Sequence, residues 1–298
     1  MPGTWFYMFP EDFRWFQFPE EKRVTCNACP KVCDADYHPQ YRCCTYHPRL
    51  ANFMLGFALD DPDTRPHVLS VIENGFALPE GLQHTPGQYR ASLRQNVTKD
   101  FGKDSRVLCR FLEVESGRCG MYLYRNSVCS TFFCHNDHGE EGRNFWERLQ
   151  YLAGQIESAL AQWAMEELGL ASPDYFRRFD SLAEDLDSVE ADGGGWSADC
   201  RRLLWGPWFG REETFYREAA ALIRREKDRL FELAGEREIG APAIYEETFR
   251  LSLDADLRQE MDAEGPVTGR PVPVSELWYA LQVGQSRIKR LNVGQAPE

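Results

Sequence analysis

No stretch of the chain reaches the roughly 18 to 20 uninterrupted apolar residues that a membrane span needs, so no membrane partner is expected. The start, from Met1 to Phe18, is aromatic but interrupted by Pro2, Pro10, Glu11, Asp12 and Arg14. It has neither the basic segment nor the apolar run of a secretion signal, and the expectation is a cytoplasmic protein. Positive charge is also scarce. The 34 Lys and Arg stand against 47 Asp and Glu, a formal net charge of −13, which argues against nucleic acid as a partner because phosphate neutralisation needs a basic face. The patterns G-x-G-x-x-G, P-loop and G-x-S-x-G do not occur, so dinucleotide, nucleotide and serine-hydrolase chemistry lack their physical handles. A methyltransferase of the common α/β kind is weakened by the same shortage of a glycine-rich strand-to-helix turn.

What the chain does have is cysteine. Nine of its ten cysteines lie between Cys26 and Cys134, and Cys200 stands apart. In a reducing compartment, clustered thiols serve metals or redox chemistry more often than structural disulfides. The first block reads Cys26-x2-Cys29-x3-Cys33 and then Cys43-Cys44, and the second is Cys109, Cys119, Cys129 and Cys134. A C-x2-C pair turns two thiolates to one centre while intervening amides donate to the sulfurs. Soft thiolates select zinc, Cu(I) or iron–sulfur clusters over magnesium or calcium. The even nine-residue gaps between Cys109, Cys119 and Cys129 fit no standard zinc finger, and the first block matches neither a radical-SAM motif nor a ferredoxin run. Adjacent Cys43 and Cys44 would point to opposite sides of an extended backbone, so one ion is not expected to take both comfortably.

The cysteines also divide the chain. Residues 1–140 are expected to form an irregular cysteine-rich metal-binding domain and residues 141–298 a helical domain, giving a mainly α protein with one small β-hairpin. The hairpin is placed over Val107–Tyr122, turning at Glu115-Ser116-Gly117. Within the first half, only Leu50–Leu59 suggests a helical period. From Asn144, Phe145, Leu149, Leu152, Ile156, Leu160 and Trp163 share one helical face. Further helices are expected over Glu212–Ala234, stopped by Gly235, over Ala243–Met261 and over Ser275–Leu291. Ser188–Trp196, with three glycines, reads as a flexible loop.

Over about residues 24 to 135 the cysteine pattern resembles the bacterial family of zinc- or iron-chelating cysteine-cluster proteins, which is distantly similar to the flagellin lysine-N-methylases. The family's C-x2-C followed by a cysteine pair is matched by Cys26, Cys29, Cys43 and Cys44, with an insertion carrying Cys33. Its second element is matched by Cys109-Arg-Phe111-Leu112, then Cys119-Gly-Met121-Tyr122, Arg125-Asn126 and Cys129-Ser130. Asn126 stands where the family has proline, and Ser130 where it has arginine. The resemblance implies a bound metal, and through the methylases a 4Fe–4S cluster ahead of zinc. It also implies an enzyme using S-adenosylmethionine on protein lysines or in a redox reaction, although no local motif for that cofactor is present. The other reading is a zinc-stabilised scaffold, metal carrier or partner-binding module without catalysis. The substrate or partner, protein or small molecule, is open in both. Cys26, Cys29, Cys44, Cys109, Cys119 and Cys129 form the leading ligand pool, with Cys33, Cys43 and Cys134 behind them.

Other residues read more plainly. His135 and His138 suit a loop capping the next helix better than a ligand role, and His47 suits a turn. Tyr122 and Arg125 are expected to pack and pair beside the metal. Cys200 reads as a small buried residue. The N-terminal aromatics read as core cover, and Glu140-Glu141, Glu166-Glu167 and Glu246-Glu247 as solvated helix positions.

Overall fold

The computed structural model describes residues 2–21, 38, 40–41, 43–98, 101–133, 136–191, 194–240 and 273–293. Cys26, Cys29, Cys33, Cys134, His135, Glu246-Glu247 and the helix expected over Ala243–Met261 lie outside them.

The described residues are mainly helical, with two small antiparallel sheets. The first half holds more helix than its irregular text suggests. After α1 (Trp5–Met8) and a single turn at Glu11–Trp15, the chain runs through β1 (Leu50–Ala51), α2 (Asn52–Leu59) and α3 (Arg65–Glu73). Next come β2 (Ala77–Leu78), β3 (Gly81–Leu82) and α4 (Pro86–Thr98). Every residue of α2 is buried, as befits a helix that is apolar all round. It lies against α9 (Glu212–Arg225) so closely that a Cβ on Gly56 would fall 1.9 Å from the Tyr216 carbonyl oxygen. The three-stranded sheet, in the order β1-β3-β2, joins Leu50 to Leu82 and Leu82 to Ala77.

The expected hairpin forms as β4 (Leu112–Glu113) and β5 (Arg118–Cys119), with Leu112 opposite Cys119 and Glu113 opposite Arg118. Gly117 closes its turn at φ +66°, a left-handed conformation that glycine adopts without a Cβ penalty. After α5 (Ser127–Thr131) comes α6 (Gly139–Glu167), whose inward stripe of Phe145, Leu149, Leu152, Ile156, Leu160 and Trp163 matches the sequence period. The chain continues through α7 (Ser172–Ser181), α8 (Ala198–Trp205), α9, α10 (Leu230–Gly235) and α11 (Val274–Val293).

Two expectations are corrected. The helix expected over Glu212–Ala234 is interrupted between α9 and α10. The run Arg224-Arg-Glu-Lys-Asp-Arg229 offers no apolar residue to continue the buried stripe, and burial resumes only at Leu230. The glycine-rich segment before Trp196 is ordered in its described part. Trp196 is 1% exposed and its amide donates to the Gly75 carbonyl at 2.8 Å. A Cβ on Gly195 would lie 2.3 Å from the Asn74 carbonyl oxygen, so glycine there permits close backbone approach.

One hydrophobic core runs from Trp5 to Leu281, and it crosses residue 140. Within it Phe9 stacks on Phe13 at 4.2 Å, and Trp278 of α11 lies 6.0 Å from each ring. The N-terminal aromatics thus divide: Trp5, Phe9 and Phe13 are buried, while Trp15 is 81% exposed. Among the described residues no helix is long and apolar enough to cross a membrane.

Candidate metal centre

Three separate segments bring cysteines together. The Cys109 amide donates to the Cys44 carbonyl at 2.7 Å, which splices the segment before β1 to the start of the hairpin region. Register then sets Cys119 opposite Leu112, three residues beyond Cys109. The third segment is α5, on which Cys129 sits.

Backbone amides point at these sulfurs. Those of Phe111 and Leu112 donate to Cys109, and that of Met121 donates to Cys119; both arrangements favour the thiolate. The tight turn that aims them continues with the Gly120 amide on the Phe111 carbonyl at 2.7 Å. A Cβ on Gly120 would meet the His67 ring at 2.4 Å, so a larger residue there would have to displace that ring.

Cys43 and Cys44 depart from expectation. Their thiols hydrogen-bond to each other, whereas an extended backbone would have separated them. The chain turns here, with the Cys44 amide on the Tyr41 carbonyl at 3.0 Å, and the turn puts both sulfurs on one side.

The thiols also feel one another. Contact with Cys43 comes first in raising Cys44, followed by burial and the charges of Cys43, Cys109 and Cys119. Burial, then Cys109, Cys119 and Cys43, raise Cys129. Burial pushes Cys109 up to about 12 despite its amide donors, and it raises Cys119 as well. Five thiols that share one region can ionise together only if a cation joins them. No disulfide joins Cys43, Cys44, Cys109, Cys119, Cys129 or Cys200. Among the described residues no three His, Cys, Asp or Glu side chains converge closely enough to hold a metal ion.

Positive charge is supplied nearby. Arg125 lies over the Tyr122 ring at 4.0 Å, donates from Nε to the Tyr122 carbonyl at 3.0 Å and reaches the Cys129 carbonyl at 3.3 Å. Its guanidinium opposes the upward shifts of both Cys119 and Cys129.

Two residues in the surroundings were not singled out by the sequence. Asn126 caps α5: its side chain accepts the Cys129 amide at 2.9 Å and donates to the Arg49 carbonyl at 2.9 Å. Asparagine is a favoured N-cap. Glu157, buried on α6, accepts the Ser127 amide at 3.1 Å and the Trp5 indole at 3.2 Å, tying α5 and α1 to the long helix. Its readable signal was a carboxylate on the apolar face, four residues after Ala153 and eight after Leu149.

The remaining candidates sit apart from these thiols in role. His138 precedes α6 and bonds through Nε2 to the Glu20 carbonyl at 3.1 Å, consistent with a capping loop. His47 is buried, and its carbonyl meets His84 Nε2 at 2.6 Å. Cys200 is buried in α8. No family model, curated protein or solved structure matches the chain.

Proposed function

We propose that this chain is a metal-binding protein whose N-terminal cysteines hold an iron–sulfur cluster. The observation that carries the reading is that Cys43, Cys44, Cys109, Cys119 and Cys129, from three segments, lie near enough to act on one another's ionisation, while among the described residues no three of them yet converge on one point. The donor set suits the chemistry: soft thiols, amides aimed at two sulfurs and a guanidinium alongside match what iron–sulfur centres use. In this reading the four thiolates that hold a cluster are drawn from Cys26, Cys29, Cys44, Cys109, Cys119 and Cys129, while Cys33, Cys43 and Cys134 are reserve ligands or serve a second centre. The metal joins segments that are far apart in sequence and so contributes to folding. A redox or S-adenosylmethionine-dependent protein-modifying role rests on the family resemblance alone.

Anaerobic purification followed by iron, zinc and acid-labile sulfide analysis tests this. Iron and sulfide in equal amounts, with broad absorption near roughly 400 nm, are expected. Stoichiometric zinc without sulfide would replace the cluster by a zinc-stabilised scaffold.

A further inference from the structure

A second feature lies between α6, the start of α5 and the β1–β3 sheet: a cavity of about 270 Å³ lined by Tyr46, Arg49, Glu80, Asn126, Glu157 and Ser158 among others. It is slightly smaller than the roughly 300 Å³ at which drug-sized ligand sites begin, which restricts it to small molecules. Two of its acids are almost wholly buried, Glu157 at 6% and Glu80 at 7% exposure.

Among the described residues, their hydrogen-bond partners carry no charge. Glu157 accepts only neutral donors, the Ser127 amide and the Trp5 indole. Gln162 Nε2 donates to Glu80 Oε1 at 3.1 Å, which is again neutral. Among the described residues, Arg49 is the one cation that lines the cavity with these two carboxyls, and it acts on Glu80. A buried carboxylate without a cation is costly. Burial accordingly pushes Glu157 up to about 7 and raises Glu80, Arg49 opposing the latter only in part.

We infer that this cavity binds a small molecule carrying one protonated amine, seated between the carboxylates of Glu80 and Glu157. The amine supplies the missing positive charge and up to three donors. The cavity's apolar lining, including Leu50, Val128 and Ala161, takes a short aliphatic stem. This site goes beyond the metal reading: it borders the segment that carries Cys129 through Asn126 and Val128, but none of its lining residues is a cysteine.

The test is a ligand-observed NMR titration of the full chain at mildly alkaline pH with butylamine, butanol and butyrate, three probes of one size and different charge. Butylamine is expected to bind at least about tenfold more tightly than butanol, because only it makes charge-assisted bonds to the carboxylates, and butyrate is expected not to bind. Glu80→Gln and Glu157→Gln should each reduce the amine to the level of the alcohol. Ser158→Phe, which fills the cavity and leaves both acids in place, should abolish both. Circular dichroism checks each variant's fold, and if Glu157→Gln unfolds, Glu80→Gln and Ser158→Phe decide the matter. Equal binding of amine and alcohol, preference for butyrate, or no amine binding to the folded protein would overturn the inference.

Discussion

The amide of Cys109 donates to the carbonyl of Cys44 at 2.7 Å, although the two residues lie 65 positions apart. This backbone contact brings the cysteines on either side of the first sheet into one region. It places the thiol of Cys44 within electrostatic reach of Cys109 and Cys119.

Serine substitutions separate the neighbouring thiols from the isolated one. Cys109→Ser, Cys119→Ser and Cys129→Ser are each expected to lose at least about half of the bound metal, since a thiolate ligand is replaced by a hard, weakly acidic hydroxyl. Cys200→Ser, in α8, should retain full occupancy. Metal per chain, measured on anaerobically purified variants, distinguishes the two groups.

Arg125→Gln keeps hydrogen-bonding capacity but removes the charge beside Cys119 and Cys129. Outer-shell substitutions of this kind weaken metal binding by about 10- to 100-fold. Chelator competition should show that loss, and the ring stacking on Tyr122 should go with it. An unchanged affinity would remove Arg125 from the account of the site.

Much of the scaffold that holds these residues was legible, and the exceptions have physical causes. The stripe on α6 follows from apolar residues at spacings of three and four, and the hairpin from the turn at Gly117 between two apolar runs. The break before Leu230 was hidden because the charged run from Arg224 to Arg229 has good helix propensity; what it lacks is a buried partner. The glycines before Trp196 read as slack, yet Gly195 serves the close approach of Asn74, a tertiary fact invisible locally. The facing of Cys43 and Cys44 turned on backbone conformation. Glu80, in the Pro79-Glu80-Gly81 turn, looks like any exposed loop acid until α6 is packed over it.

Gly56 is such a tertiary requirement, and it can be tested directly. Gly56→Ala would drive its methyl into the Tyr216 backbone and the Ala220 side chain, 1.9 and 2.7 Å away. Helix propensity favours alanine, so the close approach alone decides the sign. Overpacking of a core contact costs about 1–3 kcal/mol, and the denaturation midpoint should fall accordingly. A gain in stability would mean that α2 and α9 are not so closely apposed.

Glu157 makes stability depend on pH. Its folded-state value of about 7 lies above the 4.5 of a free glutamate because burial disfavours the carboxylate. The folded state therefore holds the proton more tightly. This group's contribution is complete below about pH 4.5 and is lost as pH rises to about 7, for a total of about 3 kcal/mol. Glu80 acts in the same direction. Glu157→Gln should flatten the decline in unfolding free energy over that window, as read from denaturant titrations at several pH values. Parallel curves for the two proteins would contradict the assignment.

The central claim is that cysteines from three segments share one metal centre, and metal K-edge X-ray absorption of the anaerobically purified chain tests it most directly. The account predicts a first coordination shell of sulfur alone, near about 2.3 Å if the metal is zinc and with an added iron–iron distance if it is an iron–sulfur cluster. A shell dominated by nitrogen or oxygen, or a protein that carries no metal, would contradict it.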